Sequence, residues 1–310
     1  MRESDNLGED EWLFPLAEED EAPPRRGTSM PLAPPRACPD EAALAPGGDR
    51  ALPAVFPLAR LHRSRPWEIE SVHATPHHRV IHLARGQGRA LLDGRMRGIG
   101  ANHLLFIPAG TPAAFHPLAG ANGEWLTLPV DTTLPWPANC RFLPLRGQMR
   151  QGEALALIEG IERELADDAP GREIALAAEI ARLAVLVLRL EAEHGLADAE
   201  PDRNQQLVLA TLAFIERHHA EGIGAGDVAE ALGVTPAHLS RVCREATGHP
   251  VSELVHERIL LAARRLLLGT DLPVGVIARC LGFASAAYFS RFFSARTALS
   301  PRAWRQRHRR

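Results

Sequence analysis

The chain has 310 residues, a formal net charge of −3 at pH 7 and 45% hydrophobic residues. That length accommodates two domains of ordinary size, each with its own core. No run of eighteen apolar residues occurs, and the acidic start MRESDNLGEDEW lacks the basic and apolar stretches of a signal peptide. These features argue against a membrane protein, and we expect a cytoplasmic location.

Charge is segregated along the chain although its net value is small. Residues 1–50 hold 5 arginines against 12 acidic residues, whereas residues 205–310 hold 14 arginines against 8. A negative net charge therefore does not exclude a polyanionic partner, because the local field of the basic third governs the encounter.

The four cysteines, Cys38, Cys140, Cys243 and Cys280, include no C-x2-C pair. Scattered cysteines in a cytoplasmic chain favour buried free thiols over a zinc site or a disulfide framework. Redox sensing stays open as a second interpretation.

Residues 1–50 combine acidic clusters with the segments PLAPPR and APGGDR. This composition cannot bury enough apolar surface to offset the entropy of ordering, so it predicts a disordered acidic, proline-rich tail. A solvated leader and an acidic interaction segment both fit such a tail.

Residues 51–145 contain short apolar runs separated by Gly, Pro and Asp, among them AVFPLARL, WEIESV, RVIHLARGQG, RALLDGRM, HLLFIPAGTP and EWLTLPV. Strands at this spacing indicate an antiparallel sandwich or barrel. The tract from 77 to 116, with its G-x-G turn, LDG hairpin and IPAGTPAAFH close, resembles a cupin. The resemblance implies a jelly-roll barrel that senses a ligand.

Histidines at 73, 77, 78, 82, 103 and 116 raise the question of a metal, because cupins often hold one with three histidines and a glutamate. The ligand pattern is incomplete here, since His77 and His78 are adjacent and no acidic residue occurs from Arg79 through Gly88. We therefore predict no metal, no other cofactor and no catalytic residue. His82 and His116 are candidates for an effector pocket, or else ordinary half-buried histidines.

Residues 146–200 are predicted to be helical and then to form a linker. Leu155, Ile158, Ile161 and Leu165 give one apolar stripe, and the next helix is apolar on more than one face, at Leu176, Ile180, Leu183, Leu186, Val187 and Leu190. Either the barrel or a second subunit must cover such a helix. We expect a dimerisation segment followed by the linker HGLADAEPDRNQQ.

The C-terminal third, residues 205–310, contains an internal duplication. DVAEALGVTPAHLSRVCREATG (227–248) recurs as GVIARCLGFASAAYFSRFFSARTA (275–298), with one extra residue in the second copy before its second helix. Each copy predicts a helix-turn-helix, at about 225–248 and 274–298, in which Gly233 and Gly282 form the turns. Thr235-Pro236 and Ser285 are start signals for the second helices.

The outward side of each second helix is predicted to bind double-stranded DNA. Small residues at the helix start permit close approach, and an arginine one turn later can reach a guanine edge or a phosphate. The predicted DNA-binding residues are Ala237, His238, Ser240, Arg241 and Arg244 in the first copy, and Ser285, Ala286, Ala287, Tyr288, Ser290 and Arg291 in the second. A linking helix of roughly 18 residues, about 27 Å long, would separate the copies by about one turn of duplex.

This arrangement resembles the AraC-type bacterial transcription regulators. The two copies, the segment ERILLAARRLLLGT between them and the close SPRAWR carry the resemblance, and the one departure is Ala298, where the family usually has glycine. The resemblance implies an α+β chain: a cupin-like barrel, a helical dimerisation segment and an all-α domain of two helix-turn-helix units. It also implies a homodimer, a small-molecule effector and, for an activator, contact with RNA polymerase.

We therefore expect a sequence-specific transcription regulator and not an enzyme. The alternative is a cupin metalloenzyme with an accessory basic DNA-binding module.

Overall fold

A computed structural model describes residues 38–40, 44–45, 53–194 and 200–309, and these residues belong to one compact unit. The predicted disordered tail lies almost entirely outside the described residues. Where the tail is described, the prediction is wrong, because Cys38 and Leu44 pack against the core of the C-terminal domain.

The N-terminal domain is an antiparallel β-sandwich. Its described strands are β1 (Ala54–Pro57), β2 (His78–Arg85), β3 (Gly88–Leu92), β4 (Arg95–Ile99), β5 (His103–Ile107), β6 (Ala114–Pro117), β7 (Asn122–Leu128) and β8 (Arg141–Pro144). One sheet has the order β1-β7-β2-β5-β8 and the other the order β4-β3-β6. The described pairings fall into two separate sheets, so the expected sandwich is present, while closure into a barrel is not.

Two of the predicted apolar runs are helical rather than extended. Leu58–Ser64 forms α1 directly after β1, and Trp67–Glu70 forms the short helix α2. Leu58 and Leu61 lie three residues apart and are both buried, a spacing that places them on one helical face. Runs this short do not distinguish a strand from a helix by periodicity.

The alternation of side chains along β2 divides the N-terminal domain into two cores. Val80 packs with Leu126 beneath the helices that follow the sandwich. Ile81 packs with Phe115 of the small sheet, in the interior of the sandwich. Successive residues of a strand in the large sheet therefore face alternately the helices and the interior of the sandwich.

The predicted helices after the sandwich are α3 (Gly147–Ala166) and α4 (Arg172–His194). The apolar face of α4 is covered by the large sheet, which confirms one of the two expected coverings. The stripe of α3 is shifted from the prediction, because Leu157 is buried and Leu155 is exposed. The predicted linker is shorter than expected, since α5 (Arg203–His218) begins within it, capped by Asp202.

The C-terminal domain is all-helical. Its helices after α5 are α6 (Ala225–Ala231), α7 (Pro236–Thr247), α8 (Val251–Gly269), α9 (Val274–Cys280), α10 (Ala286–Thr297) and α11 (Pro301–His308). The 19-residue helix α8 lies between two clusters of apolar side chains, one containing α6 and α7 and the other α9 and α10.

Candidate nucleic-acid interface and sensor site

The first repeat copy forms a helix-turn-helix. Four residues separate α6 from α7, and Gly233 lies in the left-handed region at φ 68°. Ala229 is fully buried at the helix crossing. The hydroxyl of Thr235 accepts a hydrogen bond from the backbone N–H of His238 at 3.3 Å, which fixes the start of α7.

The second copy repeats this geometry with five residues between α9 and α10, so the predicted extra residue is present. Gly282 has φ 77°, and a Cβ at this position would lie 2.5 Å from the carbonyl oxygen of Ala220. Glycine is therefore required both by the left-handed backbone conformation and by the close approach of this carbonyl oxygen. Ser285 caps α10 by accepting a hydrogen bond from the N–H of Tyr288 at 3.1 Å.

Ala298, the departure from the family pattern, ends α10 in the left-handed conformation with φ 56°. Any residue with a Cβ is strained there, so the turn before α11 is less favourable than it would be with glycine. The fold accommodates the alanine without losing α11.

The predicted DNA-binding residues lie on the outer sides of α7 and α10. Ala237, Arg241, Arg244, Ser285, Ala286, Ala287 and Arg291 are exposed, and His238, Ser240, Tyr288 and Ser290 are half-buried. Their contact with DNA stays a prediction. The hydroxyl of Ser290 donates to the carbonyl oxygen of Ala286 at 2.8 Å, so its proton is already engaged within the helix.

The two outward arginines have different neighbours. Arg241 donates to the carboxylate of Glu245 at 2.8 Å, one helical turn further along α7. Arg291 instead lies over the ring of Tyr288, with 5.9 Å between its Cζ and the ring centroid. Among the residues that the structure describes, a carboxylate therefore binds Arg241 but not Arg291.

The linking helix α8 carries two buried arginines, Arg258 and Arg265. Arg265 donates to the carboxylate of Glu68 of α2 at 2.8 Å, and both side chains are at least 96% buried. Arg258 donates to Glu216 of α5 at 2.6 Å. Their spacing of seven residues, inside an apolar helix, is the signal that both arginines occupy one buried face.

These pairs connect the sandwich to the C-terminal domain. Glu68 lies in the sandwich domain and Arg265 in α8, so their ion pair spans the boundary directly. The carboxylate of Glu216 also accepts a hydrogen bond from the backbone N–H of Ala74 at 3.0 Å. Next to them, Arg264 lies 5.1 Å from the ring centroid of Trp67, and burial lowers its pKa to about 10.

His82 and His116, the predicted effector-pocket residues, are not brought together. His82 shares the face of Val80, towards α3 and α4, and its Nδ1 lies 2.7 Å from the carboxylate of Glu124. His116 follows the interior residue Phe115 in β6 and therefore faces outward from the small sheet. Burial first, and then His249 of the C-terminal domain, lower its pKa. The two side chains therefore face different sides of the sandwich, and their assignment to an effector pocket stays a prediction.

The sandwich does contain a small cavity, at the end that meets α8. Its volume is about 10 Å³, room for about one water molecule. The lining residues are Ala45, Leu61, Glu68, His73, Thr75, Arg79, Trp125, Thr127 and Arg265. Burial lowers the pKa of the Arg79 guanidinium to about 10, so it is charged at neutral pH.

Within the described ranges, one set of side chains has metal-ligand proximity, namely His249, Glu253 and Glu257, whose ligand atoms lie within 4.8 Å of one another. It lies at the start of α8 and not in the sandwich. The histidines of the described sandwich do not form such a set, so the metalloenzyme alternative gains no ligands there.

Comparison with known proteins finds a family match for each of the two domains. An AraC-like ligand binding domain matches residues 56–184, and a helix-turn-helix domain matches residues 228–307. Together the two matches cover more than half of the chain. The chain belongs to the AraC family.

Relatives of this AraC-family chain match it over part of their length. The xylose operon regulatory protein of Escherichia coli strain K12 is 28% identical over 32% of this chain and 25% of its own. The transcriptional activator NphR of a Rhodococcus species is 31% identical over 47% of this chain and 44% of its own. The chain thus spans less than half the length of these curated relatives. The structure of ToxT from Vibrio cholerae O395 aligns with 82% of this chain and 96% of its own, at 10% identity and a TM-score of 0.40.

The cysteines of this AraC-family chain differ from the prediction at two positions. Cys38 and Cys280 form a disulfide, so they are not free thiols. Cys140 and Cys243 are free and buried, as expected. Burial raises the pKa of Cys243 to about 11, which keeps the thiol protonated and unreactive at neutral pH.

No helix in the described part of the chain is both long enough and apolar enough to cross a membrane.

Proposed function

We propose that this AraC-family chain is a sequence-specific DNA-binding transcription regulator whose N-terminal sandwich responds to a small-molecule effector. The observation that carries the proposal is the pair of equivalent, exposed arginines, Arg241 and Arg291, each one turn into a capped helix of a repeated unit. The segment that holds both units has 14 arginines against 8 acidic residues, which suits a polyanion.

In this proposal each outward helix enters a major groove of double-stranded DNA. Alanines at the helix starts let the backbone approach closely, and the arginines contact base edges or phosphates. The residues proposed to contact DNA are Ala237, His238, Ser240, Arg241, Arg244, Ser285, Ala286, Ala287, Tyr288, Ser290 and Arg291. Ser285 also caps its helix, so its replacement would affect folding as well as binding.

The proposal assigns the sensor to about 51–145, dimerisation to 146–200 and DNA binding to 205–310. Ile174 and Val185 of α4 are exposed apolar side chains, which supports a homodimer formed through this helix. The proposal further includes a cytoplasmic location, contact with RNA polymerase if the protein activates, and no catalytic activity. Its relatives named above are regulators.

The proposal is tested by selecting binding sites from random duplexes with the full-length protein. We expect one asymmetric motif with two boxes about ten base pairs apart, the spacing of successive major grooves on one side of a duplex. A matched selection with the variant Arg241→Ala/Arg291→Ala should recover no motif. Recovery of no motif by the wild type, with binding that depends steeply on salt alone, would contradict sequence-specific regulation.

A further inference from the structure

Arg79 is a charged side chain buried inside the sandwich without a carboxylate partner among the described residues. It lies on β2 and is 1% exposed. One Nη donates to the carbonyl oxygens of Thr111 at 2.7 Å and His73 at 3.4 Å. Its Nε is buried and has no hydrogen-bond partner in the described structure. Because a buried charge is normally paired, this arrangement is incomplete by itself.

Thr127 completes a set of donors beside Arg79. The two residues are direct partners in the β2–β7 register, so their side chains project from the same face of the sheet. Thr127 is 3% exposed, and its hydroxyl oxygen also has no partner in the described structure. Two unsatisfied donors, one of them positively charged, therefore line one cavity.

The remaining walls of the cavity define what could satisfy these donors. Leu61 and Trp125 supply apolar surface, and Glu68 and Arg265 supply a carboxylate and a guanidinium that are paired with each other. Guanidinium groups bind carboxylates through charge-assisted hydrogen bonds. The lining therefore suits a carboxylate head group with a short apolar tail.

We propose that the effector of this protein is a small carboxylate that binds Arg79 and Thr127 in the cavity where the sandwich meets α8. This inference rests on the proposed function only for the regulatory role of the ligand, because binding of a carboxylate can be measured without DNA. The cavity is smaller than a carboxylate, so the ligand binds an arrangement in which the lining has moved apart.

The same cavity provides the coupling to the DNA-binding domain. Arg265 of α8 and Glu68 of α2 also line it, and their ion pair joins the two domains. A carboxylate bound at Arg79 competes with Glu68 for Arg265 and thereby loosens that contact. Because the ligand favours the widened arrangement over the closed one, it shifts the equilibrium between them.

The test uses full-length protein and measures the shift of Tm in formate, acetate, propionate and butyrate, each against chloride at equal ionic strength. We expect one or more carboxylates to raise the Tm of the wild type with increasing concentration. Arg79→Met should abolish the carboxylate-specific shift, and Thr127→Val should weaken binding about tenfold or more. Thr127→Val removes an unsatisfied buried donor and should fold. Arg79→Met also removes the donor to the carbonyl oxygens of Thr111 and His73, so its circular dichroism spectrum and its Tm in chloride are compared with those of the wild type, and Thr127→Val carries the test if the first variant does not fold.

Equal shifts in the wild type and in Arg79→Met, or equal shifts with chloride and every carboxylate, would overturn the inference. A second measurement separates this failure from failure of the proposed function. Affinity for the selected DNA site should change on addition of the stabilising carboxylate in the wild type and stay constant in Arg79→Met. If a carboxylate binds but the selection recovers no DNA site, the assignment of the pocket stands and the proposed function as a sequence-specific regulator fails.

Discussion

The two helix-turn-helix units are copies in sequence, but they are held against the sensor by different chemistry. The first unit packs through apolar contacts with Leu91 and Ala114 of the small sheet. The second packs against Trp67 of α2, next to the buried pair of Glu68 and Arg265. The two units thus share one form, while the sandwich contacts the first through apolar side chains and the partly exposed carboxylate of Glu216, and the second beside a fully buried ion pair.

This difference suggests unequal roles for the two units in regulation. Apolar contacts are non-directional and tolerate small shifts. A buried ion pair depends strongly on geometry, because either charge is destabilising when its partner moves away. We therefore expect the second unit to be the one whose position responds to changes in the sensor, and the first to serve as the fixed anchor.

The largest expected effect comes from removing the outward arginines of both units together. In Arg241→Ala/Arg291→Ala, affinity for the selected site should fall by about 4 kcal/mol, or roughly a thousandfold, because each arginine contact with a base is worth about 1–3 kcal/mol. Gel-shift titration at one fixed salt concentration measures this loss. Arg182→Ala removes a similar charge from an exposed arginine of α4, outside both units, and should leave affinity nearly unchanged. Retained affinity in the folded double variant would refute the role of both helices.

The features that could be predicted from sequence are those set by local patterns. The repeat, the extra residue in the second turn and the positive φ of Gly233 and Gly282 all follow from short-range rules and are confirmed. The α+β fold class and the AraC-type assignment are confirmed as well. The cap at Thr235 was predictable too, because an N-cap and a following proline act within one helical turn.

The features that could not be predicted depend on contacts between residues far apart in the chain. Arg265 pairs with Glu68 across 197 residues, and Cys38 bonds Cys280 across 242. No local spacing connects such partners. The prediction of the effector site had another difficulty. The faces on which His82 and His116 lie depend on the register of each strand, because a shift by one residue moves every side chain to the opposite face.

The contrast between the two buried arginines of α8 gives the second prediction. Glu68→Gln leaves the charge of Arg265 buried without its carboxylate, so the free energy of unfolding should fall by about 3 kcal/mol. Glu216→Gln should have a smaller effect, because the side chain of Glu216 is 22% exposed and water can compensate. Urea denaturation of the full-length protein measures both changes. Equal losses of unfolding free energy would mean that the contact of Glu68 with Arg265 depends no more on its charge than the contact of Glu216 with Arg258.

The unequal neighbours of the outward arginines lead to a smaller effect on DNA affinity. Arg241 must exchange its contact with Glu245 for DNA, whereas Arg291 has no carboxylate to leave in the described structure of α10. The exposed pair is worth only about 0.3–0.5 kcal/mol, so Arg291→Ala should weaken binding about twofold more than Arg241→Ala.

Glu245→Gln provides the matched test of this explanation. Removing the carboxylate should strengthen binding by about twofold at low salt, and the gain should shrink as salt screens the charge. Gel-shift titrations at two salt concentrations measure both. A gain that is unchanged by salt would point to a packing effect instead of an electrostatic one.

The last prediction concerns stability instead of DNA affinity and involves His73, which lies in the sandwich close to both buried arginines of α8. Burial is the main cause that lowers its pKa well below the ordinary value, and Arg265, Arg79 and Arg258 lower it further. The folded state therefore keeps His73 neutral at a pH at which the unfolded chain binds a proton. Stability should consequently decrease as the pH falls from 7 through about 6.5 and below.

The variant His73→Asn isolates this contribution, since asparagine does not titrate. Its free energy of unfolding should fall less steeply than that of the wild type between pH 7 and pH 5, although His78 and His116, whose pKa values are also lowered, maintain part of the slope. Urea titrations at three pH values compare the two proteins. Parallel slopes would show that His73 takes up a proton without unfolding, and hence that the boundary between the sandwich and α8 admits a charge more easily than its burial implies.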